Sequence, residues 1–222
     1  MILVHHLENS RSQRILWLLE ELGLAYEVKR YERDKKTNLA PKELVKVHPL
    51  GKSPVIDDAG AVIAETGAII EHIIETHGQG RLQPARGTPD WRRYRYWMHA
   101  AEGSYMPPLV LSLMLGRMDT APMPFFARPI AKKLTQAVRD GYLDHTVAAL
   151  FGYLDTELGK SPFLAGNDLT GADIIMSFPA EAAMQRAPAA LKTARLKSYV
   201  EKLQARPAYK RALERGGPYA FV

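Results

Sequence analysis

The residues best placed for chemistry are Ser53-Pro54, just ahead of the apolar pair Val55-Ile56, and Glu65-Thr66 at the mouth of an apolar helix. Proline cannot donate to a sheet ladder, so Pro54 belongs at a strand's first residue or on an edge. A trans Pro54 would only punctuate a loop. A cis Ser53-Pro54 bond would turn the neighbouring backbone N–H and C=O outward, where they can pair with an extended peptide. The residue types alone leave the isomer open. An acid at a helix start is favoured by the helix dipole, and it is equally a receptor for an ammonium group. The chain has no cysteine, which removes disulfides, thiolate metal sites, cysteine nucleophiles and dithiol redox couples. Any sulfur chemistry must come from a ligand.

These residues need a frame. Ile2 to Leu7 reads as a strand, and Ser10 to Leu22 carries Ile15, Leu18, Leu19 and Leu22 at helical spacing before Gly23. Tyr26 to Arg30 alternates as a half-buried strand, and Pro41 can open a short helix to about Val47. Pro54 to Asp57 and Ala61 to Ala64 form a hairpin joined by the turn Asp57-Asp58-Ala59-Gly60. Thr66 is expected to cap the helix holding Ile69, Ile70, Ile73 and Ile74, which stops at His77-Gly78. The order βαβαββα over residues 1–78 predicts a mixed sheet with helices on its faces. Residues 79–89, rich in Gly, Pro and Arg, read as a linker. Residues 90–222 lack strand signals and predict an all-α domain. Its expected helices run from Trp91 to about Arg117 with a bend at Pro107-Pro108, from about Phe126 to Leu158, from a capping box at Thr170-Gly171-Ala172-Asp173, from about Ala189 to Ala205, and from Pro207 to Arg215.

At 222 residues the chain can bury real cores unaided. No apolar run is long enough to span a bilayer and no leader is apparent, which points to the cytoplasm and away from a membrane partner. The net charge of +6 is spread out. Its one dense basic-aromatic cluster, Arg92-Arg93-Tyr94-Arg95-Tyr96, reads as a solvated helix face or a ligand-site wall rather than a nucleic-acid site. Gly51-Lys52-Ser53 copies the end of a phosphate-binding loop, but Lys46 stands where that motif needs glycine. His5, His6, His72, His77, His99 and His145 show no zinc-ligand spacing, so no metal is expected.

A small α/β domain with Gly51-Lys52-Ser53-Pro54 and Glu65-Thr66, followed by an all-α domain with a capped Thr170-Gly171-Ala172-Asp173 helix, resembles the cytosolic glutathione transferases over nearly the whole chain. The spelling Asn9-Ser10-Arg11-Ser12-Gln13-Arg14 with His48-Pro49-Leu50 is most similar to bacterial and fungal serine-type members. The resemblance implies a thioredoxin-like first domain, a cis Pro54, glutathione as co-substrate and a homodimer, with an interface near Trp91 to Tyr96.

Under that resemblance Glu65 receives the γ-glutamyl ammonium, Thr66 and its helix start bind the carboxylate, and Ser53 pairs by its backbone with the cysteinyl amide. Lys52 either contacts a ligand carboxylate or is a solvated loop lysine. Ser10 is the expected donor to the thiolate, with Ser12 and Asn9 as alternates. Lowering a thiol pKa from about 8.5 to between 6 and 7 needs roughly 2 to 3 kcal/mol, which one hydrogen bond to the charged sulfur plus a helix N-terminus supply. The electrophile is expected against Tyr105, Met106, Leu109 and Met114, with Phe221 as a cover. Conjugation to hydrophobic electrophiles is the implied function. Glutathione-dependent hydroperoxide reduction and a non-catalytic binding role on the same fold are the alternatives.

Overall fold

The computed structural model describes residues 1–186 and 191–221. Its first part holds β1 (Ile2–Leu7), α1 (Gln13–Leu22), β2 (Tyr26–Tyr31), a 3-10 turn (Lys42–Lys46), β3 (Val55–Asp58), β4 (Ala61–Ala64) and α2 (Thr66–His77). The sheet order is β2-β1-β3-β4, with β1 parallel to β2 and β3 antiparallel to both β1 and β4. A parallel pair needs a crossover, and α1 provides it. The helix predicted after Pro41 is a single 3-10 turn, and Pro54 lies one residue before β3.

Residues 78–88 contain neither helix nor strand. Beyond them lie α3 (Pro89–Ala100), α4 (Met106–Thr120), α5 (Arg128–Val138), α6 (Asp144–Leu158), α7 (Gly171–Arg186), α8 (Ala194–Gln204) and α9 (Pro207–Gly216). The predicted start of α8 at Ala189 lies outside the described residues, as does the terminal Val222. Among the described residues no helix is long and apolar enough to cross a membrane.

The bend expected at Pro107-Pro108 is taken up one turn earlier. Those prolines cannot donate to the carbonyls of Gly103 and Ser104, and the ladder widens into a π-turn over Ala101–Tyr105, with the Met106 N–H donating to the Ala101 carbonyl. A second π-turn, Arg139–Leu143, joins α5 to α6, so the expected helix from Phe126 to Leu158 is two helices in register.

α7 is the hub. Ala172, Ile174, Ile175, Met176, Ala180, Ala182 and Ala183 are all buried, the pattern of a helix surrounded by protein. At Gly171 a Cβ would lie 2.8 Å from Ile74 Cδ1 and 3.0 Å from Ile70 Cγ2, so only glycine lets α7 start this close to α2. The capping box forms with an altered bond pattern: the Thr170 N–H and Oγ1 both donate to Asp173 Oδ2 at 3.0 Å.

Candidate active site

β1 delivers the chain to a turn, residues 8–12, whose two serines are not equivalent. Ser12 is sealed, with 0% exposure, whereas Ser10 lies at a cavity wall. The Ser12 hydroxyl accepts from the Leu7 N–H at 3.2 Å and lies 2.8 Å from both Ser10 Oγ and His6 Nδ1. The Ser12 N–H in turn donates to Ser10 Oγ at 3.2 Å. Burial first, then the charge of Arg30, pushes the His6 imidazole down to about 4, while its bond to the Gly216 backbone pulls the other way. His6 is therefore neutral at pH 7. Donation from its Nε2 to the Gly216 carbonyl leaves Nδ1 as the acceptor for Ser12. That bond commits the single Ser12 proton, so the Ser10 proton alone can turn into the cavity.

The same imidazole makes stability acid-sensitive. Unfolded, it would bind a proton below its ordinary value of 6.5; folded, it stays neutral to about 4. Stability is therefore lost as pH falls from 6.5 to 4, by roughly 3 kcal/mol over that window. Urea midpoints measured across it should fall for the wild type and stay flatter for His6→Gln, and equal slopes would refute the assignment.

Asn9 has a different task. In left-handed backbone at φ 48°, its Oδ1 accepts from the Ala220 N–H at 2.8 Å. This fastens the C-terminal tail beside the turn, where Phe221 packs edge-on against Phe178 with ring centroids 5.1 Å apart.

Two adjoining cavities meet here. The larger, about 520 Å³, is walled by Ser10, Lys52 and Ser53 on one side and by Met106, Val110, Leu113, Phe178 and Phe221 on the other, with Arg33 and Arg117 at its margin. The smaller, about 100 Å³, is lined by His48, Pro54, Glu65, Thr66 and Glu102. Arg11, Lys52 and Ser53 belong to both. The Ser53-Pro54 peptide is cis. Ser53 Oγ donates to the His5 carbonyl at 2.9 Å and accepts from the Leu7 N–H at 3.3 Å, tying the lip to β1. Gly51, at φ 58°, turns the chain into that lip beneath Val45, whose Cγ2 would stand 2.8 Å from an added Cβ.

The expected cap of α2 is corrected by the structure: Glu65, not Thr66, holds the N-cap position, and Thr66 is the first helical residue. Glu65 has φ 72° and ψ 126°, a conformation that costs a side-chain-bearing residue about 1–3 kcal/mol. No side chain caps α2, so the first N–H groups of the helix remain available to a ligand carboxylate. The buried Arg14 guanidinium donates to the Ile175 carbonyl, lies 5.2 Å from the Phe178 ring centre, and pairs with Glu102. Glu102 also lies 3.2 Å from Arg11 Nε. Two arginines thus hold a carboxylate at the edge of the smaller cavity, a pairing across α1 and the first π-turn that no linear spacing announces.

Of the expected electrophile wall, Met106 lines the larger cavity. Tyr105 is fully buried and donates its hydroxyl to the Leu150 carbonyl at 2.8 Å, Leu109 is buried in the helical core, and Met114 is 58% exposed and outside the lining. The lining residues Met106, Val110, Leu113 and Arg117 form one stripe of α4 at i, i+4, i+7 and i+11. A helical periodicity test started at Met106 would have found them.

Residues 1–75 match the family model described as glutathione S-transferase, N-terminal domain, and residues 117–207 match that for the glutathione S-transferase C-terminal domain. The chain is 34% identical to glutathione S-transferase 3 of Schizosaccharomyces pombe, over 97% of this chain and 88% of that protein. It is 33% identical to glutathione S-transferase 1 of Saccharomyces cerevisiae, over 84% of this chain and 82% of that protein. The crystal structure of a glutathione S-transferase from Actinobacillus pleuropneumoniae superposes with a TM-score of 0.82 at 31% identity, covering 100% of this chain and 95% of that one. Family models across both parts, relatives matched over most of their length and a shared fold agree, and the chain belongs to the glutathione S-transferase family.

Proposed function

We propose that this glutathione transferase seats the γ-glutamyl end of glutathione in the smaller cavity and transfers the thiolate to a hydrophobic electrophile in the larger one. The single observation that carries this reading is the pair of cavities sharing Arg11, Lys52 and Ser53, one lined by charges of both signs and the other walled by Met106, Val110, Leu113, Phe178 and Phe221 opposite Ser10. A γ-glutamyl group is a zwitterion. Glu65 and Glu102 suit its ammonium, while Arg11, Lys52 and the N–H groups that open α2 suit carboxylates. The Ser53 backbone takes the cysteinyl amide, which leads the sulfur towards Ser10, whose hydroxyl stabilises it as the thiolate, the nucleophilic form. The apolar stripe of α4 with Phe178 and Phe221 desolvates the electrophile. In this reading residues 1–78 bind glutathione, residues 79–89 link, residues 90–222 supply the electrophile wall, and the enzyme works in the cytoplasm.

The test is retention on immobilised glutathione, followed by assays with an aryl halide and an organic hydroperoxide. The wild type should be retained and turn over the aryl halide. Glu65→Gln should bind glutathione roughly 10- to 100-fold more weakly, the loss of one charge-assisted bond. No retention of the wild type would reject the assignment, and turnover of the hydroperoxide alone would replace conjugation by peroxide reduction.

We also propose that the protein is a homodimer. Tyr96 on α3 is 44% exposed beside exposed Arg92 and Arg95, and Phe126, Ile130 and Leu134 form an apolar stripe on and just before α5, each more than 60% exposed. Exposed apolar stripes of that kind mark interaction surfaces. Sedimentation equilibrium should return twice the 24.8 kDa chain mass; a monomer at micromolar concentration would reject this.

A further inference from the structure

Towards the C-terminal end of α2, the end opposite the one that lines the smaller cavity, α2 and β3 bring together three side chains with no part in glutathione chemistry. Asp58 ends β3, while His72 and His77 lie five residues apart on the last turns of α2. The Nε2 atoms of His72 and His77 stand 2.9 and 2.7 Å from one oxygen, Asp58 Oδ2, and the two imidazole rings are 6.2 Å apart and nearly perpendicular. One ligand atom from each residue falls within 4.8 Å of the other two, and this is the one such trio among the described residues. The side chains are 10% exposed for Asp58 and 29% and 30% for the histidines, so the trio is anchored on its protein side and open to water on the other.

We propose that Asp58, His72 and His77 form a binding site for a divalent transition-metal ion, Zn²⁺ foremost. Two imidazoles and one carboxylate are the ligand types of borderline cations; Mg²⁺ and Ca²⁺ prefer sets made of oxygen. In a tetrahedral zinc site with bonds of about 2.0–2.2 Å the ligand atoms stand about 3.3–3.5 Å apart. The two observed Asp58–histidine separations need to open by about half an ångström or slightly more to reach that spacing, which small side-chain rotations provide. Each imidazole moves its proton to Nδ1 and offers the Nε2 lone pair to the metal, and water on the open side completes the shell. The ion would clamp the C-terminal end of α2 to β3. This proposal does not depend on the glutathione reading, because none of the three residues lines either cavity.

Linear spacing hides the site, since the carboxylate comes from a different element than the histidines. The test is calorimetric titration of tag-free protein with ZnCl₂, paired with thermal unfolding with and without the ion. The expected result is one Zn²⁺ per chain and a raised unfolding temperature, with binding at least about tenfold weaker in His72→Gln and in Asp58→Asn and unchanged in His99→Gln. Co²⁺ should give the visible absorption of a low-symmetry site in the wild type, lost in His77→Gln, which keeps the test decisive if either of the first two variants folds poorly. Absence of Zn²⁺ binding at 100-fold excess over protein would overturn the proposal, as would binding that all these variants leave unchanged.

Discussion

Ser10→Ala is expected to lower kcat/KM for conjugation roughly 10- to 100-fold and to raise the pKa of bound glutathione by about 1 to 2 units. The magnitude follows from what is removed: a hydroxyl bond to a charged sulfur, worth about 1.5–3 kcal/mol. The direction follows from the hydroxyl network. Ser12 accepts from the Leu7 N–H and faces His6 Nδ1 at 2.8 Å from a fully buried position, so its one proton is committed inward. Ser10 receives the Ser12 N–H and lines the cavity, so its own proton can turn outward. Asn9 is held by the tail through Ala220. Ser12→Ala should therefore act mainly on stability, by unpairing the buried His6 Nδ1 and leaving the Leu7 N–H to Ser53 Oγ alone. Thiolate absorbance against pH, measured for the enzyme–glutathione complex, separates the candidates. An unmoved titration in Ser10→Ala, with a loss in Ser12→Ala instead, would reverse their roles.

The elements around this site were legible because they rest on local rules. The period of Ile15, Leu18, Leu19 and Leu22, the glycine after α1, the hairpin residues and the Thr170–Asp173 box all act within a few positions of one another. The alternation of Tyr26 to Arg30 likewise placed β2 without knowledge of its partner. What stayed hidden is made by contacts across the chain. The left-handed Glu65 is a conformation disfavoured for its residue type, so propensity argues against it. Arg14 meets Glu102 and the Ile175 carbonyl only after α1, the first π-turn and α7 have packed. The prolines at 107 and 108 announced an irregular helix but not that the turn before them would absorb it. Of the predicted wall only Met106 lines the cavity: Tyr105 at the end of the π-turn and Leu109 on α4 are buried in the core and Met114 faces solvent, because apolar composition does not say which side of an apolar helix meets a cavity.

Removal of the Asp173 carboxylate should cost more stability than any of the other substitutions considered. Its side chain is 0% exposed and accepts four hydrogen bonds. Oδ1 receives the Leu164 N–H and the Tyr199 hydroxyl, both at 2.9 Å, while Oδ2 receives the Thr170 N–H and hydroxyl, both at 3.0 Å. Burial pushes the carboxyl pKa up, and these four donors pull it back down. Asp173→Ala strands two buried backbone N–H groups and the Tyr199 hydroxyl beside a small cavity. At about 1–3 kcal/mol for an unpaired buried group, with partial relaxation, the expected loss is about 3–5 kcal/mol, or roughly a 10 °C fall in Tm for a chain of this length. Asp173→Asn should lose less, since one oxygen survives while its amide N–H₂ faces donors it cannot accept from. The damage reaches function through α7, which carries both the Ile175 carbonyl that receives Arg14 and the Phe178 ring of the larger cavity. Well below the lowered Tm, both variants should keep a near-normal glutathione thiol pKa, because Ser10 is untouched. A shifted thiol titration in a folded Asp173 variant would instead show that α7 helps set the electrostatics of the sulfur site.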